Sequence, residues 1–215
     1  MTSVLLSTTY FGPVQWYQKL YRADKVWLEQ YEHFQKQTYR NRCVIAGPNG
    51  PQALVFPVER ADLSTGQISD GQSIPPLISS LRISDHGDWR RQHWNALATA
   101  YGDSPFFEYY EDDLRPFFTE RNWEFLFEFN LNICSKICDL VDIHPILSFT
   151  TSYAHMAPVG TLDFRETIRP KHPVADPDFV PRPYYQVYGQ RHGFLSNLSI
   201  LDLLFNMGPE SIFYL

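Results

Sequence analysis

Apolar residues follow strand-like spacing before about residue 85 and helix-like spacing after it. Ser3 to Thr8 is a short apolar run of strand length. Pro13 then stands where a helix favours its first residue, and Val14, Trp16, Tyr17 and Leu20 continue at helical spacing, so a strand leads into a helix. Asp24 to Glu29 predicts a second strand, Tyr39 to Ala46 a third and Gln52 to Val58 a fourth. The last two are joined by Gly47-Pro48-Asn49-Gly50-Pro51, a hairpin-type loop. Residues 59 to 76 hold mostly polar and turn-forming residues and read as a surface connection, and Leu77 to Ile83 reads as one more strand.

After that the period changes. Asp88 is a candidate acidic cap for a helix Trp89 to Tyr101 stopped by Gly102, in which Trp89, His93, Leu97 and Tyr101 recur every four residues and share a face. A second helix spans Trp123 to Val141, with Phe127, Leu131, Cys134, Cys138 and Val141 as its apolar stripe. Six prolines between Pro158 and Pro183 predict a long irregular segment, a candidate lid. A capped helix from Asn197 to Met207 closes on Gly208-Pro209. Strands and helices do not alternate as a doubly wound fold requires. The expected class is α+β, with a mixed or antiparallel sheet from the N-terminal half and helices mainly from the C-terminal half.

Composition narrows the partners. With 44% hydrophobic residues in 215, the chain folds around a core, and one domain is the natural expectation. A formal charge of -6 without a long basic run gives a phosphate backbone little to grip, so nucleic acid is not an expected partner. Residues 1 to 7 lack a basic n-region and no apolar stretch has the length of a membrane span, so no membrane partner and a cytoplasmic location are expected. Cys43, Cys134 and Cys138, with no CxxC, fit reduced thiols in that compartment. Walker, GxGxxG, HExxH and GxSxG motifs are absent, which removes the usual support for several nucleotide and hydrolase chemistries.

Three clusters carry candidate chemistry. In Glu29 to Cys43, strand alternation would put Tyr39, Asn41 and Cys43 on one face and Arg40 and Arg42 on the other, with Lys36 nearby. A guanidinium beside Cys43 would favour its thiolate, the nucleophilic form; equally, Cys43 is a small buried hydrophobe. In Asp88 to Trp94, a desolvated neutral His93 beside Trp89 is either a general base or a satisfied structural histidine, while Arg90 or Arg91 holds a carboxylate or phosphate or lies on a solvated face. In Tyr184 to Tyr188, Tyr184 and Gln186 suit stacking and hydrogen bonding to a sugar, or form a packed edge strand. Cys134 and Cys138 have no second pair, and His144, His155, His172 and His192 lack ligand spacing, so no metal site is expected.

Taken in order, Leu5-Leu6-Ser7-Thr8 with Tyr10 and Pro13, Glu29-Gln30, Lys36 through Cys43, Asn49-Gly50-Pro51 and Pro57-Val58 resemble the WbqC-like protein family, in a branch common in Bacteroidetes-type bacteria. Trp89 with His93-Trp94, Tyr101 with Ser104-Pro105-Phe106, Tyr184 to Val187 and Asn197 to Asn206 extend the resemblance over nearly the whole chain, as one domain of residues 1–215. Phe11-Gly12-Pro13 replaces the family's Gln-Pro opening, and Cys43 stands where an Asn-Arg-Asn element ends in asparagine, so a nucleophilic Cys43 departs from the family pattern. The resemblance implies a pathway, O-antigen or capsule biosynthesis on a sugar or sugar nucleotide, and it names no cofactor. Joined to the reactive clusters, it leads to the expectation of an enzyme that transfers an acyl or aminoacyl (glycine) group to a sugar amine, with His93, Cys43 and Lys36 as the catalytic groups and Asn41, Arg42, Trp89, Arg90, Tyr184 and Gln186 as the substrate-binding ones. The competing reading is a non-catalytic module that binds a sugar nucleotide or a partner.

Overall fold

Val4, Leu5 and Leu6 are three consecutive apolar residues, and all three are buried, the mark of a strand covered on both faces. In a computed structural model that describes residues 2–59, 68–69, 72–73 and 75–215, with 68, 69, 72 and 73 as backbone, they form the centre of β1 (Ser3–Ser7). Pro13 precedes α1 (Val14–Arg22), and β2 (Lys25–Glu29) returns parallel to β1 from Ser3↔Lys25 to Ser7↔Glu29. This strand, helix and strand follow the expected order.

β3 (Arg42–Gly47) and β4 (Gly50–Val55) make the expected antiparallel hairpin around Pro48-Asn49. Gly50, at φ +106°, takes a backbone conformation that side chains disfavour. The third strand is shorter than its apolar pattern suggests. Tyr39–Asn41 is a 3-10 turn with all three residues buried, so the predicted alternation of Tyr39, Asn41 and Cys43 against Arg40 and Arg42 does not form. Asn41 donates through Nδ2 to the Phe56 carbonyl at 2.7 Å, and the Arg40 carbonyl accepts from Asn130 Nδ2 at 2.8 Å, bonds that hold the turn in place of a sheet ladder. The surface connection 59–76 lies largely outside the described residues, which here show β5 (Ile68–Ser69) and β6 (Gln72–Ser73) paired antiparallel. Leu77 to Ile83 is a 3-10 turn, Ile78–Ser80, flanked by isolated bridges.

α2 (Trp89–Tyr101) forms over the expected residues and buries Trp89, His93, Leu97 and Tyr101 on one face. Asp88 does not cap it: at φ +49° its carboxylate turns to Arg91 Nε at 2.6 Å. α3 (Phe107–Leu114) and α4 (Pro116–Thr119) follow, and α5 (Leu126–Leu140) is the core helix expected near 123–141. Then β7 (Leu147–Phe149) and β8 (Thr161–Asp163) join the sheet, giving the order β7-β2-β1-β8 with every pairing parallel. The α+β class therefore takes the form of a parallel sheet beside an antiparallel hairpin, with two sheet strands supplied from beyond residue 145. After the short α6 (Gly189–His192), the Ser199 hydroxyl accepts from Leu201 N at 3.3 Å and caps α7 (Ile200–Met207), which is buried on all sides from Ile200 to Asn206. Rings from the loop after β1, the end of the hairpin, α2 and α5 (Tyr10, Phe56, Trp89 and Phe129) interlock in the core at 4.9–6.4 Å. No described helix is long and apolar enough to cross a membrane.

Candidate functional site

Parallel strands present their carboxyl ends along one edge, and in open α/β sheets ligands gather at that edge. Here it carries Ser7 to Thr9 after β1, Glu29 at the end of β2, Thr150 after β7 and Asp163 to Arg165 at the end of β8. Glu29 is fully buried and well satisfied: its carboxylate accepts from Thr150 Oγ1 at 2.7 Å, Tyr31 N at 2.8 Å, Ala154 N at 3.0 Å and Arg165 Nη1 at 3.4 Å. Burial opposes the charge on Arg165, but hydrogen bonds and the charge of Asp163 outweigh it and hold the guanidinium above its usual pKa. Beside it Arg40 grips Glu32 with Nε at 2.8 Å and with Nη2, and the Ser7 hydroxyl bridges the pair, donating to Glu32 at 3.0 Å and accepting from Arg40 at 2.9 Å. Ser7, Thr9, Trp16, Tyr39, Arg40 and Arg165 enclose a hollow of about 10 Å³, about enough for one water. Thr9 Oγ1 is buried there with no hydrogen-bond partner among the described residues. Gly12 packs so closely that a Cβ would fall 2.4 Å from that oxygen.

Tyr39 also lines a much larger cleft of about 790 Å³, together with Gln15, Arg169, Asp176, Phe179, Phe194 and Asn197. Its outer wall is the proline-rich segment, which runs as an irregular strap after β8. The inner wall begins at α1, where Gln15 N donates to Asn197 Oδ1 at 3.0 Å and Asn197 Nδ2 donates back to Gln15 Oε1 at 3.0 Å. Burial pushes the Tyr39 hydroxyl up to about 12, so it stays a neutral donor at physiological pH. Aromatic walls with a few amides, one guanidinium and a carboxylate suit a polar ligand that carries a flat or apolar part.

The residues singled out in the sequence sit elsewhere. Cys43 is 1% exposed, and burial raises its thiol pKa where a neighbouring guanidinium was expected to lower it. His93 is 5% exposed; Tyr10 donates its hydroxyl to Nδ1 at 2.9 Å, and the Val55 backbone takes a second hydrogen bond. Burial lowers its pKa to about 4, which keeps the ring neutral as expected, but its hydrogen-bond partners, Tyr10 and the Val55 backbone, are groups of the protein itself. Cys43 and His93 do share a neighbour, Tyr10, and neither lines the sheet-edge hollow or the large cleft. Lys36 is exposed. Arg42 is half-buried on β3, with no partner for Nε among the described residues. Trp89 is buried and donates Nε1 to the Ser84 carbonyl at 2.9 Å, while Arg90 lies over its ring and pairs with Asp85. Tyr184 and Gln186 do meet, on the fully buried Asp202: the Tyr184 hydroxyl donates at 2.7 Å, Gln186 Nε2 at 2.8 Å and the Tyr101 hydroxyl at 2.8 Å. Cys43 and His93 thus pack in the core around Tyr10, and Tyr184 and Gln186 meet on Asp202, while from the segment near residue 40 it is Tyr39 that reaches the large cleft. Cys134 and Cys138 approach to 4.0 Å in the core, and no three His, Cys, Asp or Glu among the described residues gather as a metal would need.

Sequence reasoning passed over Thr9, Gln15, Lys19, Arg165, Asp176 and Asn197. One signal was available: Gln15, Lys19 and Arg22 recur at i, i+4 and i+7, a polar stripe on a helix whose neighbours are apolar.

No curated protein and no solved structure matches the chain. A family model does match, over residues 8–161, a span that holds Thr9, Gln15, Glu29, Glu32, Tyr39 and Arg40 and stops at the first residue of β8, before the strap. On that match, which covers most of its length and begins at the carboxyl end of β1, the chain belongs to the WbqC-like protein family.

Proposed function

We propose that the protein acts in cell-surface polysaccharide biosynthesis, of O-antigen or capsule, and binds a sugar or sugar nucleotide in the cleft between α1 and the strap. The cleft of about 790 Å³ carries this reading, since ligand sites of about 300–1,000 Å³ enclose molecules of that size. Tyr39, Phe179 and Phe194 offer faces for a base or a sugar ring, Gln15 and Asn197 offer amides for hydroxyl groups, and Arg169 offers a guanidinium for an anionic group. Family membership supports the pathway. Three free cysteines fit a reducing cytoplasm, where activated sugars are made. The reaction in this reading is transfer of an acyl or aminoacyl group such as glycine to a sugar amine, carried out by groups of the cleft rather than by His93 and Cys43. Isothermal titration of the whole protein against a panel of sugar nucleotides tests the binding, and mass spectrometry of an amino-sugar nucleotide mixed with an aminoacyl donor tests the transfer. Saturable binding of at least one sugar nucleotide, weakened by Phe194→Ala, is the expected result; no binding across the panel refutes it.

A further inference from the structure

The polar stripe of α1 is neither bare nor simply solvated. Lys19 Nζ lies 2.7 Å from an Asp176 oxygen, with the two side chains only 7% and 3% exposed. Gln15 Nε2 donates to the same oxygen at 2.8 Å, and Asn197 fixes Gln15 from the other side. Asp176 belongs to the strap, where every residue from Lys171 to Pro183 except Asp176 and Phe179 is exposed. Apart from Asp176, the described polar tie from this stretch to the body is Arg182 Nη1 to the Phe213 carbonyl at 2.8 Å. A segment with so little buried apolar surface opens at low cost. The strap is therefore tacked down at its middle by one buried charge.

That charge also stands at a partition. Gln15 and Asp176 line the large cleft, whereas Lys19, Arg22 and Asp178 line a second hollow of about 290 Å³ on the other side. A buried ammonium requires an anion, but the requirement is for negative charge at that position and not for this particular carboxylate.

We propose that Lys19 and Gln15 form an anion site that the strap's own Asp176 occupies, and that a carboxylate or phosphate on the substrate takes it over by displacing Asp176. The displacement lifts the strap and joins the cleft to the second hollow, where Arg22 adds a further cation one turn along α1. The inference rests on the cleft being the substrate site.

The test compares wild type, Asp176→Asn and Lys19→Met, each checked for folding by thermal melting, with Lys19→Gln used if the methionine variant does not fold. Uridine diphosphate, inorganic phosphate and glycine are the probes for titration, and trypsin cleavage after Lys171 reports strap opening. Asp176→Asn removes the internal competitor, so its strap is cut faster and it binds at least one probe about 10-fold tighter, the gain expected when a mostly closed site becomes mostly open. Loss of Lys19 also speeds cleavage but weakens binding of that probe. Tightening confined to glycine assigns the site to a carboxylate; tightening of phosphate and uridine diphosphate assigns it to phosphate. If wild type binds a sugar nucleotide and Asp176→Asn binds every probe no tighter, the displacement is wrong while the cleft reading stands. If no sugar nucleotide binds any of the proteins, the cleft reading falls and this inference with it.

Discussion

Asp202 offers the most direct test of how the core is held. The carboxylate is fully buried on α7 and accepts three hydrogen bonds, from Tyr101, Tyr184 and Gln186. Asp202→Leu keeps the branching of the side chain but strands these donors. Tyr101, fully buried, loses the acceptor for its proton and retains only the bond it accepts from Ala46 N, at about 1–3 kcal/mol. Gln186 keeps the Leu195 carbonyl at 2.9 Å, and half-buried Tyr184 has some access to water, so each of them adds about 1 kcal/mol or less. Burial raises the Asp202 pKa despite the three bonds, so removing the charge returns part of its desolvation cost. The net expectation for Asp202→Leu is a loss of about 2–4 kcal/mol at pH 7, against about 1 kcal/mol for Asp202→Asn, whose amide oxygen still accepts. Urea unfolding of the three proteins measures this. The pH dependence gives a second, independent check. A carboxyl whose folded pKa is raised binds its proton more tightly when folded, so its contribution falls as pH rises from the unfolded value through the folded one. Asparagine does not titrate. The advantage of wild type over Asp202→Asn is therefore greatest in acid and shrinks toward pH 7. A leucine variant as stable as wild type, or an advantage that grows with pH, refutes the reasoning.

Two further outcomes follow from the same structure. His93, with a folded pKa of about 4 against an unfolded value of about 6.5, must take up a proton to unfold in acid; linkage removes about 2 kcal/mol of stability between pH 7 and pH 5. Urea curves at the two pH values, compared with His93→Gln, show a smaller pH loss in the variant if this holds, and a ring that titrates near 6.5 by NMR in the folded protein contradicts it. Gly208 ends α7 at φ +55°, and a Cβ there would meet the Phe106 ring at 2.6 Å, so Gly208→Ala costs about 2 kcal/mol or more. Gly193→Ala, at φ +70° with open space around it, pays the backbone cost of about 1–3 kcal/mol without a clash, and a Gly208→Ala melting point no lower than that of Gly193→Ala rejects the steric part.

Elements with dense, repeated apolar positions were legible. α2 could be read because Trp89, His93, Leu97 and Tyr101 mark a face over the whole helix, and the β3–β4 hairpin because Asn49-Gly50 leaves the chain little choice of turn. The parallel sheet was not legible, because β7 and β8 are three residues each, too short for any period, and owe their strand conformation to pairing with β2 and β1. α3 and α4 went unread for a related reason: the helix α3 alternates Phe107, Tyr110 and Leu114 with an acidic face, and Pro116 interrupts the pattern before α4 completes it.

The candidate site was obscured by chemistry rather than by period. Reactive side chains draw attention, yet Cys43 and His93 are ones that packing can satisfy, a thiol as a small hydrophobe and an imidazole by two hydrogen bonds. Gln15 and Lys19 look ordinary on a surface helix and become informative only once α1 is seen to be buried along that side, because an amide and an ammonium enclosed there each require a partner. That partner comes from Asp176, some 160 residues away, and the separation hides it from any local reading. The general consequence is an order of inference for chains of this kind. A polar stripe on an apolar helix should be asked which distant charge answers it before a histidine or cysteine is asked what it attacks, since burial leaves the first question with one answer and the second with none.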